Sequence, residues 1–453
     1  MMPANLLAIA RQHLSGGRLD RAIAGYEACL LHRLPVHEEY AGVLYSNARF
    51  QEAATIISRA LDITPGSAHL HFLRALSLLA SGQSFAALAD LDAAIRVSPS
   101  NLAYLQKRAA ALAQLDMLDA ALEDFTRIVQ LAPDDLDAMG NCGIIHLRRN
   151  EYPEAIHLLS RYLHFKPGNV PVLRSLANAH RGVGNGGMAL QLLAQLAERN
   201  PADNAIQTDY ALTLLATADF KRARECYQTV VNRSTRDQWA LAGLYLADSA
   251  LEDDTAAQSL MDRTLIVETN DGGLLDRASL RGSILSHQGL RWEPAGKSTT
   301  GGQQTTLLDL EAPSFAQLSG FLQQRVAEAF RIHLSSNVPG HPWHRGRPAA
   351  WKLQAWATVL HGQGGHQRPH IHPAGWLSGV YYLDQGDGTE GEGQLVFGHP
   401  PDELRLPSPR HDFAHSPKTG QMLLFPSFFL HHTTPYRGHS ERISIAFDVI
   451  PLD

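Results

Sequence analysis

The 453-residue sequence predicts a multidomain protein. An all-α array of helix pairs comes first, and a β-rich barrel or jelly-roll domain with flanking helices follows. Two observations predict this. Pro65, Pro99, Pro133, Pro167 and Pro201 recur every 34 residues, the period of a helix–turn–helix repeat. From Trp351 onward the apolar residues take the period of strands, and glycine loops separate the runs.

Composition narrows the function classes. A hydrophobic content of 44% and a charged content of 19% are those of an ordinary globular chain. The net charge of −6 gives no basic surface for nucleic acid, so none is expected as a partner. Cys29, Cys142 and Cys226 are scattered, without C-x-x-C spacing, and read as small core residues in a reducing compartment. The start, Met1-Met2-Pro3-Ala4-Asn5-Leu6, lacks the basic and apolar regions of a signal peptide, and no apolar run is long enough to span a membrane. The expectation is a cytoplasmic protein without membrane association.

The repeats come first. Twelve residues before each periodic proline stands an alanine: Ala53, Ala87, Ala121, Ala155 and Ala189. Eight residues before each stands a bulky apolar residue: Ile57, Leu91, Phe125, Leu159 and Leu193. A small side chain lets two helices approach, and the large one a turn later fills the gap between them. The proline cannot continue the helix. This part resembles the tetratricopeptide (TPR) repeat, whose second helix carries A-x3-F and ends at a proline. Weaker copies flank the five, with Ala22 and Tyr26 before an out-of-register Pro35, and Ala223 and Tyr227 before Thr235. Terminal repeats are atypical because one face has no neighbour. Seven repeats over residues 3–235 are expected, with a helical cap from Arg236 to about Val267. The resemblance implies a TPR superhelix that binds a protein or peptide, with a spacer or oligomerisation module as the alternative. Tyr40, His69, His71, Tyr104 and His146 read as packing or ordinary surface.

The composition shifts after Glu268, so the expected domains are 1–268 and 269–453. Asn270-Asp271-Gly272-Gly273 signals a turn. The stretch from Trp292 to Gly302 is polar and glycine-rich, and reads as an ordered loop because Thr305–Leu310 reads as a strand directly after it. Ala316 to about His333 has helical spacing, and Trp351–Leu360 reads as a strand.

The chemistry gathers near the C-terminus, where histidine is crowded. His370 and His372 precede an aromatic and β-branched run through Leu383. Residues i and i+2 of a strand face one side, so both imidazoles can enter one pocket. A distal histidine from Leu423–Pro435 would complete three ligands on one face of a metal, with open positions for a cosubstrate and O2. His370-x-His372-Pro373, Leu377-Ser378-Gly379-Val380-Tyr381-Tyr382-Leu383, Phe425-Pro426-Ser427 and Arg442-Ile443-Ser444-Ile445-Ala446-Phe447 stand in order. These tracts resemble the 2-oxoglutarate/Fe(II)-dependent oxygenases, whose fold is the double-stranded β-helix. The likeness runs from Gln354 to Phe447, and more loosely back to Trp292.

The resemblance implies metal ligands at His370 and His431. It implies that Arg442 and Ser444 bind the far carboxylate of 2-oxoglutarate, and that Tyr382, or Tyr381 in a shifted register, touches the cosubstrate. Guanidinium suits this role because it meets a carboxylate in a planar two-bond pair. The usual family triad is H-x-D…H, and here His372 takes the carboxylate's position. His372 serves as third ligand, or water fills that place, or Asp384, Asp387 or Glu390 reaches the metal; strand geometry favours the first. His361 and His366 read as neighbours of the ligands, whereas His411, His415, His432 and His439 read as loop or surface. Trp376 reads as packing or as a wall of the substrate pocket.

The expected activity is hydroxylation of a protein or peptide recruited by the repeats, with Fe(II), 2-oxoglutarate and O2. The alternatives are a repeat scaffold with an inactive oxygenase-like domain, and a three-histidine dioxygenase that does not use 2-oxoglutarate.

Overall fold

A computed structural model describes residues 3–294, 296–335, 340–406 and 412–453. Ala295 of the glycine-rich loop and His411 lie outside the described residues. The chain falls into two compact units, Met1–Ile145 and His146–Asp453.

Among the described residues, seven successive helix pairs run from Pro3–Ser15 to Phe220–Arg233. The alanine and bulky residue that mark each repeat are buried in every copy, from Ala22 and Tyr26 to Ala223 and Tyr227. A second periodic signal fixes where first helices begin. Ser67, Asn101, Asp135, Asn169, Asp203 and Asp237 recur every 34 residues. Each side chain accepts a bond from the backbone N–H three residues on, satisfying a donor that the first turn leaves orphaned. The aromatic and histidine residues of the first helices mostly pack: Tyr40 stacks on Tyr26 at 5.4 Å, Tyr104 lies 4.7 Å from Phe72, and His71 bonds Asp90.

In His146–Asp453 the last helices share a core with the β-structure. Gln238–Ala250 is buried nearly all round, from Ala240 to Asp248. Its sequence is apolar on every side, and such a helix must be covered on every side. One hydrophobic cluster accordingly runs from Ala211 and Leu214 through Leu244 to Tyr381, Phe425 and Val449. The expected helical cap runs through Asp254–Leu260 to a last helical turn at Arg263–Leu265, and Val267–Asn270 is a strand. Among the described residues no helix is long and apolar enough to cross a membrane.

The strands are β1 (Val267–Asn270), β2 (Arg291–Trp292), β3 (Thr299–Thr300), β4 (Gly302–Gln304), β5 (Trp351–Leu360), β6 (His366–Gln367), β7 (Leu377–Asp384), β8 (Leu395–Phe397), β9 (Phe413–His415), β10 (Gln421–Pro426), β11 (His431–Thr433) and β12 (Arg442–Pro451). They form a seven-stranded antiparallel sheet in the order β1-β10-β7-β12-β5-β4-β2, a sheet β11-β8-β9 and the pair β3-β6. This is the jelly-roll type of architecture expected, and the helix Ala316–Ser335 flanks it as predicted.

Two local expectations need correction. Thr305–Leu310 is not a strand. Thr305 N still donates to Ala357 O, but Ala357 N returns its bond to the Thr305 hydroxyl instead of the carbonyl, so the regular ladder with β5 ends at Gln304. His370 and His372 also lie outside a strand, between β6 and β7. Extended backbone still keeps them on one side: His370 forms a lone bridge to His431, and His372 N donates to Ser427 O at 3.0 Å.

Candidate metal centre

The histidine site assembles from two segments. His370 and His372 come from the segment before β7, and His431 opens β11. Each offers a ring nitrogen within 4.8 Å of the others. All three rings are tethered through Nδ1. His370 Nδ1–H donates to Arg368 O at 2.7 Å, His431 Nδ1–H to Phe429 O at 2.8 Å, and His372 Nδ1–H to Asp448 Oδ1 at 2.5 Å. A carbonyl or carboxylate can only accept, so each Nδ1 holds a proton, and in the neutral ring Nε2 presents a lone pair. The Nε2 atoms of His370 and His372 then face each other at 3.3 Å. Three ring nitrogens converging this closely are a donor set that fits a metal ion. Burial and the neighbouring His372 push His370 down to about 3, and burial holds His431 well below its ordinary value, so neither ring readily supplies that positive charge as a proton.

The carboxylates considered from the sequence point elsewhere. Asp387 accepts from Ser440 N and Oγ, and Asp384 accepts from Gly386 N. Neither belongs to the clustered set, nor does Glu390.

The residues expected to meet the cosubstrate lie on one face of the large sheet. Strand alternation puts Arg442, Ser444, Ala446 and Asp448 of β12 on a single side. Register then sets Tyr382 and Thr358 beside Ser444, on β7 and β5. His370, His372, His431, Tyr382, Arg442 and Ser444 all line one cavity. Arg442 is 2% exposed, and its Cζ lies 5.2 Å from the centre of the Tyr382 ring. Its Nε and Nη2, the Tyr382 hydroxyl and Thr358 Oγ1 are buried without a hydrogen-bond partner among the described residues. Burial lowers Arg442 and raises Tyr382 to about 12. The arrangement is a buried donor cradle that matches a carboxylate. Gly393 permits it: at φ +62°, an added Cβ would sit 3.0 Å from the Arg442 side chain. The Tyr381 alternative is closed by register, because its hydroxyl donates to Asp271 at 2.7 Å on the other face.

The remaining sequence candidates separate clearly. Trp376 is core, stacked on Trp343 at 4.2 Å. His366 bonds Gly364 O, and His361 lies against Trp292 and Gln303. His432 sits beside His399, His415 bonds Gln421, and His439 is exposed. The glycine-rich loop closes over the first tract through β3–β6, and Arg368 bonds Ser298 O and Lys297 O. Sequence reasoning missed Asp448, Thr358 and Gly393. Asp448 was within reach, since it continues the i+2 series from Arg442.

The comparisons with known proteins fall into two groups. The model of the family described as "Putative 2OG-Fe(II) oxygenase" matches residues 354–448. Tetratricopeptide repeat models match residues 7–68, 72–135 and 112–179. The chain joins tetratricopeptide repeats to a 2OG-Fe(II) oxygenase domain. The human tetratricopeptide repeat protein 6 is 28% identical over 134 residues, which is 30% of this chain and 26% of that protein. A tetratricopeptide repeat protein from Parabacteroides merdae is 17% identical, with a TM-score of 0.40 over 50% of this chain and 91% of its own. The C-terminal part of a repeat protein from Cytophaga hutchinsonii is 16% identical, with a TM-score of 0.39 over 49% and 92%. In this TPR–oxygenase fusion the three histidines form the group suited to a metal ion.

Proposed function

We propose that the protein is a 2-oxoglutarate- and Fe(II)-dependent oxygenase that hydroxylates a protein or peptide recruited by its repeats. The observation that carries the reading is the pairing of two features in one cavity. Three Nε2 lone pairs converge at one end, and a buried, unpaired guanidinium waits at the other. His370, His372 and His431 would hold the iron. Arg442, Ser444 and Tyr382 would hold the far carboxylate of 2-oxoglutarate. When bound, iron supplies the redox chemistry by which 2-oxoglutarate, O2 and a C–H bond give succinate, CO2 and an alcohol. The protein's part is to fix the cosubstrate along β12 and to keep bulk water from the buried cation.

Residues 1–268 are the recruiting part in this reading and 269–453 the reacting part. Repeats of this kind generally mediate protein–protein interaction. Within His146–Asp453, the segment Asp402–Leu404 meets the repeat helix Asn204–Ala216. Glu403 of that segment lies 3.9 Å from Arg368, two residues before His370. This chain of contacts, from one repeat helix through Asp402–Leu404 to the segment that leads into His370, supports the reading.

The all-histidine face also suits a dioxygenase that uses no 2-oxoglutarate, but such an enzyme has no need of the Arg442 cradle. Anaerobic titration of the full chain with Fe(II) and 2-oxoglutarate tests the choice. The weak visible charge-transfer band should form in wild type and be lost in Arg442→Ala and His372→Ala. A band that persists in His372→Ala removes that residue from the metal, and turnover without succinate rejects 2-oxoglutarate as cosubstrate.

A further inference from the structure

We propose that Asp448 is the positioning residue of the third histidine, supplying from behind His372 the negative charge that three neutral imidazoles lack. The inference rests on the metal-site reading above. His370 and His431 lean on backbone carbonyls, whereas His372 leans on a carboxylate. The pair is enclosed: His372 is 6% exposed and Asp448 7%.

The surroundings hold this pair in one geometry. Asp448 Oδ1 also accepts from Ser378 Oγ at 2.6 Å, and Ser378 Oγ lies 2.7 Å from Ser427 Oγ. Ser427 O in turn receives His372 N at 3.0 Å. Backbone and ring of His372 are therefore clamped by one closed circuit of bonds. Trp356 lies against the ring, with centroids 5.3 Å apart. Gly375 leaves room for the circuit, since an added Cβ would meet Ser427 Oγ at 2.5 Å and Asp448 Cβ at 3.3 Å. A carboxylate on Nδ1–H does two things that a carbonyl does less well. It fixes the tautomer that leaves Nε2 free, and its charge makes that nitrogen a stronger ligand. Asp448 shares its strand face with Arg442 and Ser444, so one strand sets both the metal end and the carboxylate end of the cavity.

The test uses the full-length, metal-stripped chain with Co(II) as the probe, read by calorimetry and by the visible cobalt bands. Asp448→Asn keeps shape and an acceptor oxygen but removes the charge. It should weaken Co(II) binding about 10- to 100-fold and shift the cobalt bands, with the melting midpoint of the metal-free chain followed in parallel. In a His372→Ala background the same change should cost nothing further. Asp448→Asn within twofold of wild type overturns the proposal, as does an equal loss in the His372→Ala background. Ser378→Ala loosens the carboxylate without removing it and should cost several-fold. If Asp448→Asn fails to fold, wild-type affinity in Ser378→Ala overturns the proposal. Wild-type protein that takes no cobalt rejects the underlying metal reading, whereas normal uptake with an indifferent Asp448→Asn rejects this inference alone.

Discussion

His370 Nε2 and His372 Nε2 stand 3.3 Å apart, and each ring is tethered from behind through its Nδ1. A cation held by both nitrogens couples metal binding to the stability of the fold. A divalent ion should raise the stability of the chain, by about 2.7 kcal/mol at a hundredfold excess over its dissociation constant. Mn(II) avoids oxidation during heating, and calorimetric scans with and without it measure the shift. His370→Ala should abolish the gain. A wild-type midpoint that ignores metal would contradict this account of the site.

Arg442 presents the opposite problem, a cation buried without an anion. Its Nε and Nη2 have no hydrogen-bond partner among the described residues, and its charge lies beside the face of Tyr382. An unpaired buried charge costs stability until its partner arrives. Arg442→Met should therefore stabilise the cosubstrate-free protein by more than about 1 kcal/mol while abolishing 2-oxoglutarate binding. Denaturant melts and calorimetry read the two effects separately. Thr358→Val, which removes a buried unpartnered hydroxyl without changing shape, should stabilise by about 1 kcal/mol. Destabilisation in both variants would show that these groups have partners in the free protein.

Much of this was legible in the sequence because it is periodic. The 34-residue spacing of proline, alanine and a bulky residue reports helix pairs directly, and β5 and β12 follow from strand alternation. His370, His372, His431, Arg442, Ser444 and Tyr382 were legible as a set because motif order survives even where local structure differs. The backbone at His370 and His372 was not legible, since an extended segment held by single bonds to His431 and Ser427 has the same i, i+2 signature as a strand. Thr305–Leu310 has strand composition, yet its regular ladder with β5 is interrupted where the Thr305 hydroxyl takes the bond from Ala357 N, which no local pattern reports. Asp448 was overlooked because its partner His372 lies 76 positions away, and a long-range bond leaves no trace in spacing.

Residues 269–453 should not fold as an independent piece. β1 pairs Val267 with Leu424 and Glu268 with Leu423, so a cut at 268/269 removes half of an edge strand. The cut also strips Leu241, Leu244 and Tyr245 from the shared core, along with the bonds of Tyr245 to Gly398 O and Arg236 to Gly346 O. Fragment 269–453 should bind ANS and lack a sharp near-ultraviolet signal, whereas 146–453 should unfold cooperatively. Equal, cooperative denaturant transitions for the two fragments would show that the helices contribute little to the sheet.

His333 makes acid stability a test of packing away from the metal. It is 5% exposed and lies edge-on to Trp343 at 5.1 Å, and neither ring nitrogen has a hydrogen-bond partner among the described residues. Burial, then the neighbouring His344 and Arg347, push it down to about 4. The unfolded chain takes up that proton near pH 6.5 and the folded chain only near 4, so the contribution is intact above 6.5 and is lost as pH falls toward 4. The loss across that window is about 3 kcal/mol at most. His333→Phe keeps the edge-on contact with Trp343 and cannot titrate. It should stabilise the metal-free protein slightly at pH 7 and flatten the fall in stability between pH 6.5 and 4. His341 and His344 are lowered in the same direction, chiefly by burial, so part of the slope should remain. Denaturant midpoints at pH 7, 6 and 5 measure the difference, and parallel profiles for the two proteins would mean that His333 is solvated rather than buried.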